Sequence, residues 1–88
     1  MVRILYTKAF LSQFKKLPES IKQDTRIAIE KFRKDPKDKS LKGHRLGGIL
    51  KGSLAISVNH KTRIVFEEEV KEKNTFNFLK IGNHDIYK

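Results

Sequence analysis

Eighty-eight residues give room for one modest core and not two, so a single domain over 1–88 is expected. Twenty Lys and Arg against ten Asp and Glu leave a formal charge of +10 and a pI near 10.0. The absence of cysteine excludes disulfides and thiolate zinc sites, and no apolar run approaches the roughly 18 residues of a membrane span. The opening MVRILYTKAF is too short and too polar for a signal peptide, and the lack of cysteine makes a reducing cytoplasm the expected setting.

In chain order, Val2 to Tyr6 reads as a short strand, and Thr7 can cap a helix after it with its hydroxyl. Phe10, Phe14 and Leu17 fall at i, i+4 and i+7, one apolar face of a short helix that Pro18 stops. A second helix is predicted from about Glu19 to Lys34. Its buried stripe is Ile21, Thr25, Ala28, Ile29 and Phe32, and Asp35-Pro36 ends it. Lys37 to Gly52, with four glycines and little periodicity, reads as a surface loop.

Leu54, Ile56 and Val58 then alternate with Ser53, Ala55 and Ser57, as in a strand with one buried face. Asn59, His60 and Lys61 break it, and Arg63 opens a second β-branched run, Ile64-Val65-Phe66, so the two runs form a hairpin. Glu67 to Asn74 is a charged turn with no chemistry implied. Thr75 to Ile81 makes a last strand, with Phe76 and Phe78 on one face and Leu79 and Ile81 on the other. The order β-α-α-β-β-β predicts an α+β fold in which an antiparallel sheet packs one face on a helical hairpin.

Charge is unevenly spread. Residues 31–51 hold Lys31, Arg33, Lys34, Lys37, Lys39, Lys42, Arg45 and Lys51 against Asp35 and Asp38, a local excess of +6. Such a block attracts a polyanion: nucleic acid, an acidic protein or an anionic membrane. A solvated lysine-rich surface would explain scattered lysines better than this clustering.

The three histidines, His44, His60 and His84, show no metal-ligand spacing, and there is no P-loop, GxSxG or GxGxxG. Neither a metal nor a cofactor is expected. Cleavage of RNA through its own 2′-hydroxyl requires a base, an acid and cations to hold the phosphorane charge, and no metal. The residue types for that chemistry occur in three regions. These are Lys42, His44 and Arg45 in the loop; Lys51, His60 and Arg63 around the hairpin; and His84, Asp85 and Tyr87 at the end. Arg63 reads either as a phosphate-binding fork or as an edge arginine guarding a strand. His60 reads more simply as an exposed turn residue. Gly82 before His84 and Asp85 after it suit a positioned imidazole, and Tyr87 reads as a base-stacking ring or a C-terminal anchor.

The pieces FKKLP (Phe14 to Pro18), Asp35-Pro36, LKGHRLGG (Leu41 to Gly48), LKGSLAISV (Leu50 to Val58), TRIVF (Thr62 to Phe66) and IGNHDIY (Ile81 to Tyr87) together resemble the RelE/ParE superfamily of type II toxin–antitoxin toxins. The resemblance covers nearly the whole chain. It implies a RelE-like fold and a cognate antitoxin whose C-terminal segment, expected to be acidic, wraps the toxin. In the RelE branch it implies metal-independent cleavage of mRNA on the ribosome. In the ParE branch it implies binding to DNA gyrase without nuclease activity, and a third option is an inactive RelE-fold binding protein.

The tail is most similar to YafQ-type toxins, whose catalytic Gly-x-His falls on His84 and whose loop histidine falls on His44. The arginine opening the third strand of RelE-like nucleases falls on Arg63. On that footing Arg63 would stabilise the phosphorane, with His84, then His44, as acid or base. Asp85 would orient a ring and Tyr87 would stack or share a proton, while Lys42, Arg45, Lys51, His60 and Lys61 face RNA. The chain departs from its relatives at Ala55 and Ser57, where RelE has strand lysines. Ser57 also replaces a YafQ-type histidine, and Lys61 stands where YafQ-type toxins are acidic.

Overall fold

A computed structural model describes residues 2–47 and 52–83. β1 (Arg3–Tyr6) leads into two helices, α1 (Lys8–Lys15) and α2 (Glu19–Lys34). A 3-10 turn (Lys39–Leu41) follows, then β2 (His44–Arg45), β3 (Leu54–Ser57), β4 (Arg63–Glu68) and β5 (Thr75–Gly82).

Local chemistry sets the helix ends. The Thr7 hydroxyl accepts from the Phe10 N–H at 3.0 Å and caps α1. Pro18, at φ −57°, stands before α2, whose last turn carries Lys31, Arg33 and Lys34 against the negative end of the helix dipole. Asp35 is extended, as the residue before a proline prefers. Within α2 the fully buried Thr25 donates its hydroxyl to the Ile21 carbonyl at 2.7 Å, which removes the cost of burying it.

The α+β arrangement is the expected one, with two additions. The strands lie in the order β1-β5-β4-β3-β2, and β1 runs parallel to β5 while every other pair is antiparallel. The sheet is therefore mixed, because its parallel pair joins strands from opposite ends of the chain. The expected loop from Lys37 to Gly52 also carries structure. Leu41, 2% exposed, plugs the core, and His44–Arg45 pairs with β3. Two residues are too few to show a period-2 pattern, so the sequence hides this strand.

Both helices cover one face of the sheet. Phe10, Ala28, Phe32 and Leu41 pack there on Ile56, Ile64, Phe66, Phe76, Phe78 and Ile81. Phe32 is the hub, with ring centroids 5.1, 4.9 and 5.2 Å from Phe66, Phe76 and Phe78, all edge-on.

Strict alternation fails in β5. Val65 pairs with Lys80 but Phe66 pairs with Phe78, so Leu79 is an extra residue, a β-bulge. The bulge changes the facing of everything after it. Ile81 lies in the core with Phe78, not with Leu79 on the far face as strict alternation predicts. Lys80 stands instead on the face away from the helices, in register with Val65.

The bulge is held from β1 and α1. Thr7 donates its N–H to the Phe78 carbonyl at 3.1 Å and its hydroxyl to the Leu79 carbonyl at 2.8 Å. The Gln13 amide oxygen accepts from the Ile81 N–H at 2.9 Å.

Two stability predictions follow from this packing. Phe32→Ala should cost about 3–5 kcal/mol in urea unfolding, the usual penalty for emptying a full aromatic site. Gln13→Ala should cost about 1–3 kcal/mol by orphaning the Ile81 N–H, and a change near zero would show that the bulge does not need this acceptor.

Candidate nucleic-acid interface

The face away from the helices is built by register. His44, Ala55, Val65 and Lys80 form one cross-strand row, and Ser57, Arg63 and Gly82 form the next. Paired residues share a face, so an imidazole, a guanidinium and an ammonium come to one side of the sheet. Ala55 and Val65 between them are 0% and 1% exposed.

Arg63 begins β4 where the sheet meets the hairpin turn. Its Nη1 donates to the Asn59 carbonyl at 2.6 Å and to the Thr62 carbonyl at 3.1 Å. Both hydrogens of Nη1 are thereby engaged. The edge made by Nε–H and Nη2–H keeps the parallel donor pair that suits two phosphate oxygens. Arg63 lines a cleft of about 260 Å³ with Ser40, Lys42, Ser57, Val58, Asn59 and His60.

Lys42 reaches the cleft from a strained backbone. It closes the 3-10 turn in the left-handed region, φ 52° and ψ 44°, a conformation that costs a non-glycine residue about 1–2 kcal/mol. Asp38 holds that turn by accepting from the Ser40 N–H at 2.9 Å and the Ser40 hydroxyl at 2.7 Å. His44 and Arg45 follow on β2, both exposed, with the His44 Nδ1 3.2 Å from the Lys42 carbonyl. Lys61 lines a neighbouring groove with His60, Thr62, Leu17, Pro18, Ile21 and Gly82.

Of the residues predicted from sequence, Lys42, His60 and Arg63 thus share one cleft. His44 stands on the same sheet face as Arg63, Arg45 lies beside it on β2, and Lys61 is next door across the turn. Lys51, His84, Asp85 and Tyr87 lie outside the described residues. Lys80 was missed. Its signal was available, because strict alternation would put an ammonium among the phenylalanines, and a break in alternation is the cheaper solution.

Known proteins share this fold. A YoeB/ParE toxin from Agrobacterium tumefaciens superposes with a TM-score of 0.76 at 12% identity, over 94% of this chain and 99% of that one. YafQ from E. coli also gives a TM-score of 0.76, at 14% identity over 98% of this chain and 97% of that one. The RelBE2 toxin–antitoxin complex from Mycobacterium tuberculosis gives 0.74 at 18% identity, over 94% of this chain and 98% of that one. No protein-family model matches the chain, and no curated protein matches it in sequence. The fold is that of the RelE/ParE-type toxins, as the sequence resemblance implies. No described helix is long and apolar enough to cross a membrane.

The Asp38 cap gives a pH prediction. Hydrogen bonds from the Ser40 side chain and then its backbone lower the Asp38 pKa. A lowered carboxylate pKa favours the folded turn above the free-aspartate value of about 3.9 and loses that advantage as pH falls through the lowered value. The Ser40 and Lys42 amide resonances should titrate together with a midpoint below about 3.9. A midpoint at or above the free value would rule out the cap.

Proposed function

We propose that this protein, one domain over residues 1–88, is the toxin of a type II toxin–antitoxin pair and a metal-independent endoribonuclease that cuts mRNA on the ribosome. The observation that carries the reading is the Arg63 guanidinium, pinned by Nη1 to two turn carbonyls with its Nε–Nη2 edge left for a ligand, in a cleft shared with Lys42 and His60. A fixed planar fork beside the Lys42 ammonium suits a phosphate whose charge grows during reaction.

In the proposed reaction a base takes the 2′-hydroxyl proton and the 2′ oxygen attacks the adjacent phosphorus. The bond to the 5′ oxygen then breaks as an acid protonates it, leaving a 2′,3′-cyclic phosphate and a 5′-hydroxyl. Arg63 holds the phosphorane oxygens. His84 is the first candidate for the acid or base and His44 the second, Asp85 orients a ring nitrogen, and Tyr87 stacks on a base or shares the proton. Lys42, Arg45 or Lys51 neutralises flanking phosphates, and His60 and Lys61 also face the RNA. Lys80 adds an ammonium on the same sheet face, from β5, where β3 offers only Ala55 and Ser57.

The +10 charge suits both ribosomal RNA and an acidic antitoxin segment. RelBE2 is a toxin–antitoxin complex, and a cognate antitoxin is proposed here by analogy. The site of action is the cytoplasm, where ribosomes and mRNA are.

The test is translation of a reporter mRNA with purified protein in EDTA, with new 5′ ends mapped by primer extension. Arg63→Ala should cut the cleavage rate by about 10²-fold or more, the usual cost of losing one oxyanion donor. Lys80→Gln should mainly weaken binding and flatten its salt dependence by about one phosphate contact. His84→Ala should abolish the ribosome-dependent cuts; cuts that persist would move the acid–base work to His44. Intact translation together with blocked DNA supercoiling would favour the ParE-like gyrase inhibitor, and intact translation with normal supercoiling would favour a RelE-fold binding protein.

A further inference from the structure

The hairpin turn that holds Arg63 is closed by the Val58 and Asn59 N–H groups on the Thr62 carbonyl, at 2.9 and 3.4 Å, and one side chain braces it from within. The Asn59 amide oxygen accepts from the Lys61 N–H at 2.9 Å and the Thr62 N–H at 2.8 Å, closing an Asx turn. Its amide nitrogen donates to the Asp24 carboxylate on α2 at 3.3 Å. Its own carbonyl accepts from Arg63 Nη1 at 2.6 Å. The same residue therefore shapes the turn, ties it to the helical layer and grips the guanidinium.

These roles are linked. The direction of the Asn59 carbonyl follows the backbone of the turn, and the two bonds to the side-chain oxygen fix the part of that backbone between Asn59 and Thr62. Without them the Lys61 and Thr62 amides lose their acceptor and the turn can re-form with the carbonyl aimed elsewhere. Arg63 would then lose its shortest bond, and its free edge would swing.

We propose that Asn59 is a positioning residue that acts through Arg63, with Asp24 as its anchor on α2. The proposal rests on the reading that Arg63 works on a phosphate. It adds that the rate depends on a bond between the helical layer and the turn. An arginine free to rotate would still attract RNA, but it would have to be ordered during the reaction, which lowers the turnover rate more than binding.

The experiment compares wild type, Asn59→Ala, Arg63→Ala and the double variant in ribosome-dependent cleavage, with thermal unfolding and the Arg63 Nε–Hε resonance recorded for each folded form. Asn59→Ala should lower kcat by about 10- to 100-fold, the scale of a small misplacement of a catalytic group, with KM within about 3-fold. In the Arg63→Ala background the same change should cost less than about 2-fold, because the two residues act as one unit. Asn59→Asp should also slow cleavage by opposing two carboxylates. Adding Asp24→Asn should restore most of the rate, with donor and acceptor exchanged.

An equal loss from Asn59→Ala with and without Arg63 would overturn the proposal and leave Asn59 a stability residue. If wild type cuts no mRNA, the functional reading fails, and the resonance still decides the positioning. A shifted or broadened Arg63 signal in Asn59→Ala supports it, and an unchanged signal overturns it. Should Asn59→Ala not fold, Asn59→Ser keeps an acceptor for the turn and removes the Asp24 bond, and the same comparisons apply.

Discussion

The extra residue at Leu79 is the constraint on which the sheet depends. Phe76, Phe78 and Lys80 are spaced two apart, and a regular strand would carry all three into the layer under α2. An unpaired ammonium among Phe32, Phe66 and Phe78 would cost several kcal/mol, far more than a local break in the ladder. The bulge resolves the conflict by sending Lys80 outward and Ile81 inward. It also explains why a threonine and a glutamine stand where they do on the α1 side of β5. The carbonyl of Leu79 and the N–H of Ile81 need partners beyond the end of β1, and Thr7 and Gln13 supply them. A helix cap and a strand irregularity are thus one device, since the Thr7 hydroxyl both accepts from Phe10 and donates to Leu79.

A second device of this kind organises the other end of the sheet. Arg63 is a strand-opening cation, and such residues commonly wave in solvent to discourage edge pairing. Here β4 is an interior strand, between β3 and β5, so it has no free edge to guard. The guanidinium is instead bound back onto the turn by two carbonyls. That weighs against the edge-guarding reading and for a fixed charge, because a long side chain loses rotamer entropy when held and needs a compensating bond. Lys42 shows the same economy. Its left-handed backbone is held by the turn that Asp38 caps and Leu41 buries.

Much of this was legible in the sequence. The helix stop at Pro18, the span Glu19–Lys34, the break at Asn59 to Lys61 and the strand opening at Arg63 follow from local rules that act within a few residues. The features that were not legible depend on partners far away in the chain. The parallel pairing of β1 with β5 joins residues more than seventy positions apart. β2 exists only because β3 offers it a ladder. The facing of Lys80 and Ile81 turns on a bulge whose cause is the energy of an alternative burial, which periodicity alone does not weigh. In the candidate site, residue types pointed to Lys42, His60 and Arg63. What the sequence hid was that Asn59, an ordinary turn former by composition, grips Arg63 and reaches Asp24, 35 positions before it.

The distribution of charge on the face away from the helices has a physical reason too. Ala55 and Val65, at the centre of that face, have essentially no solvent exposure. A lysine at position 55 would place its ammonium at a site with no water to solvate it, or force its chain to reach out past its neighbours. Basic side chains on this sheet therefore sit around an apolar middle: His44 on β2, Arg63 at the start of β4 and Lys80 near the end of β5. The absence of strand lysines at positions 55 and 57 then does not empty the face of positive charge. It moves that charge outward, onto groups anchored by a turn, a bulge and a short strand.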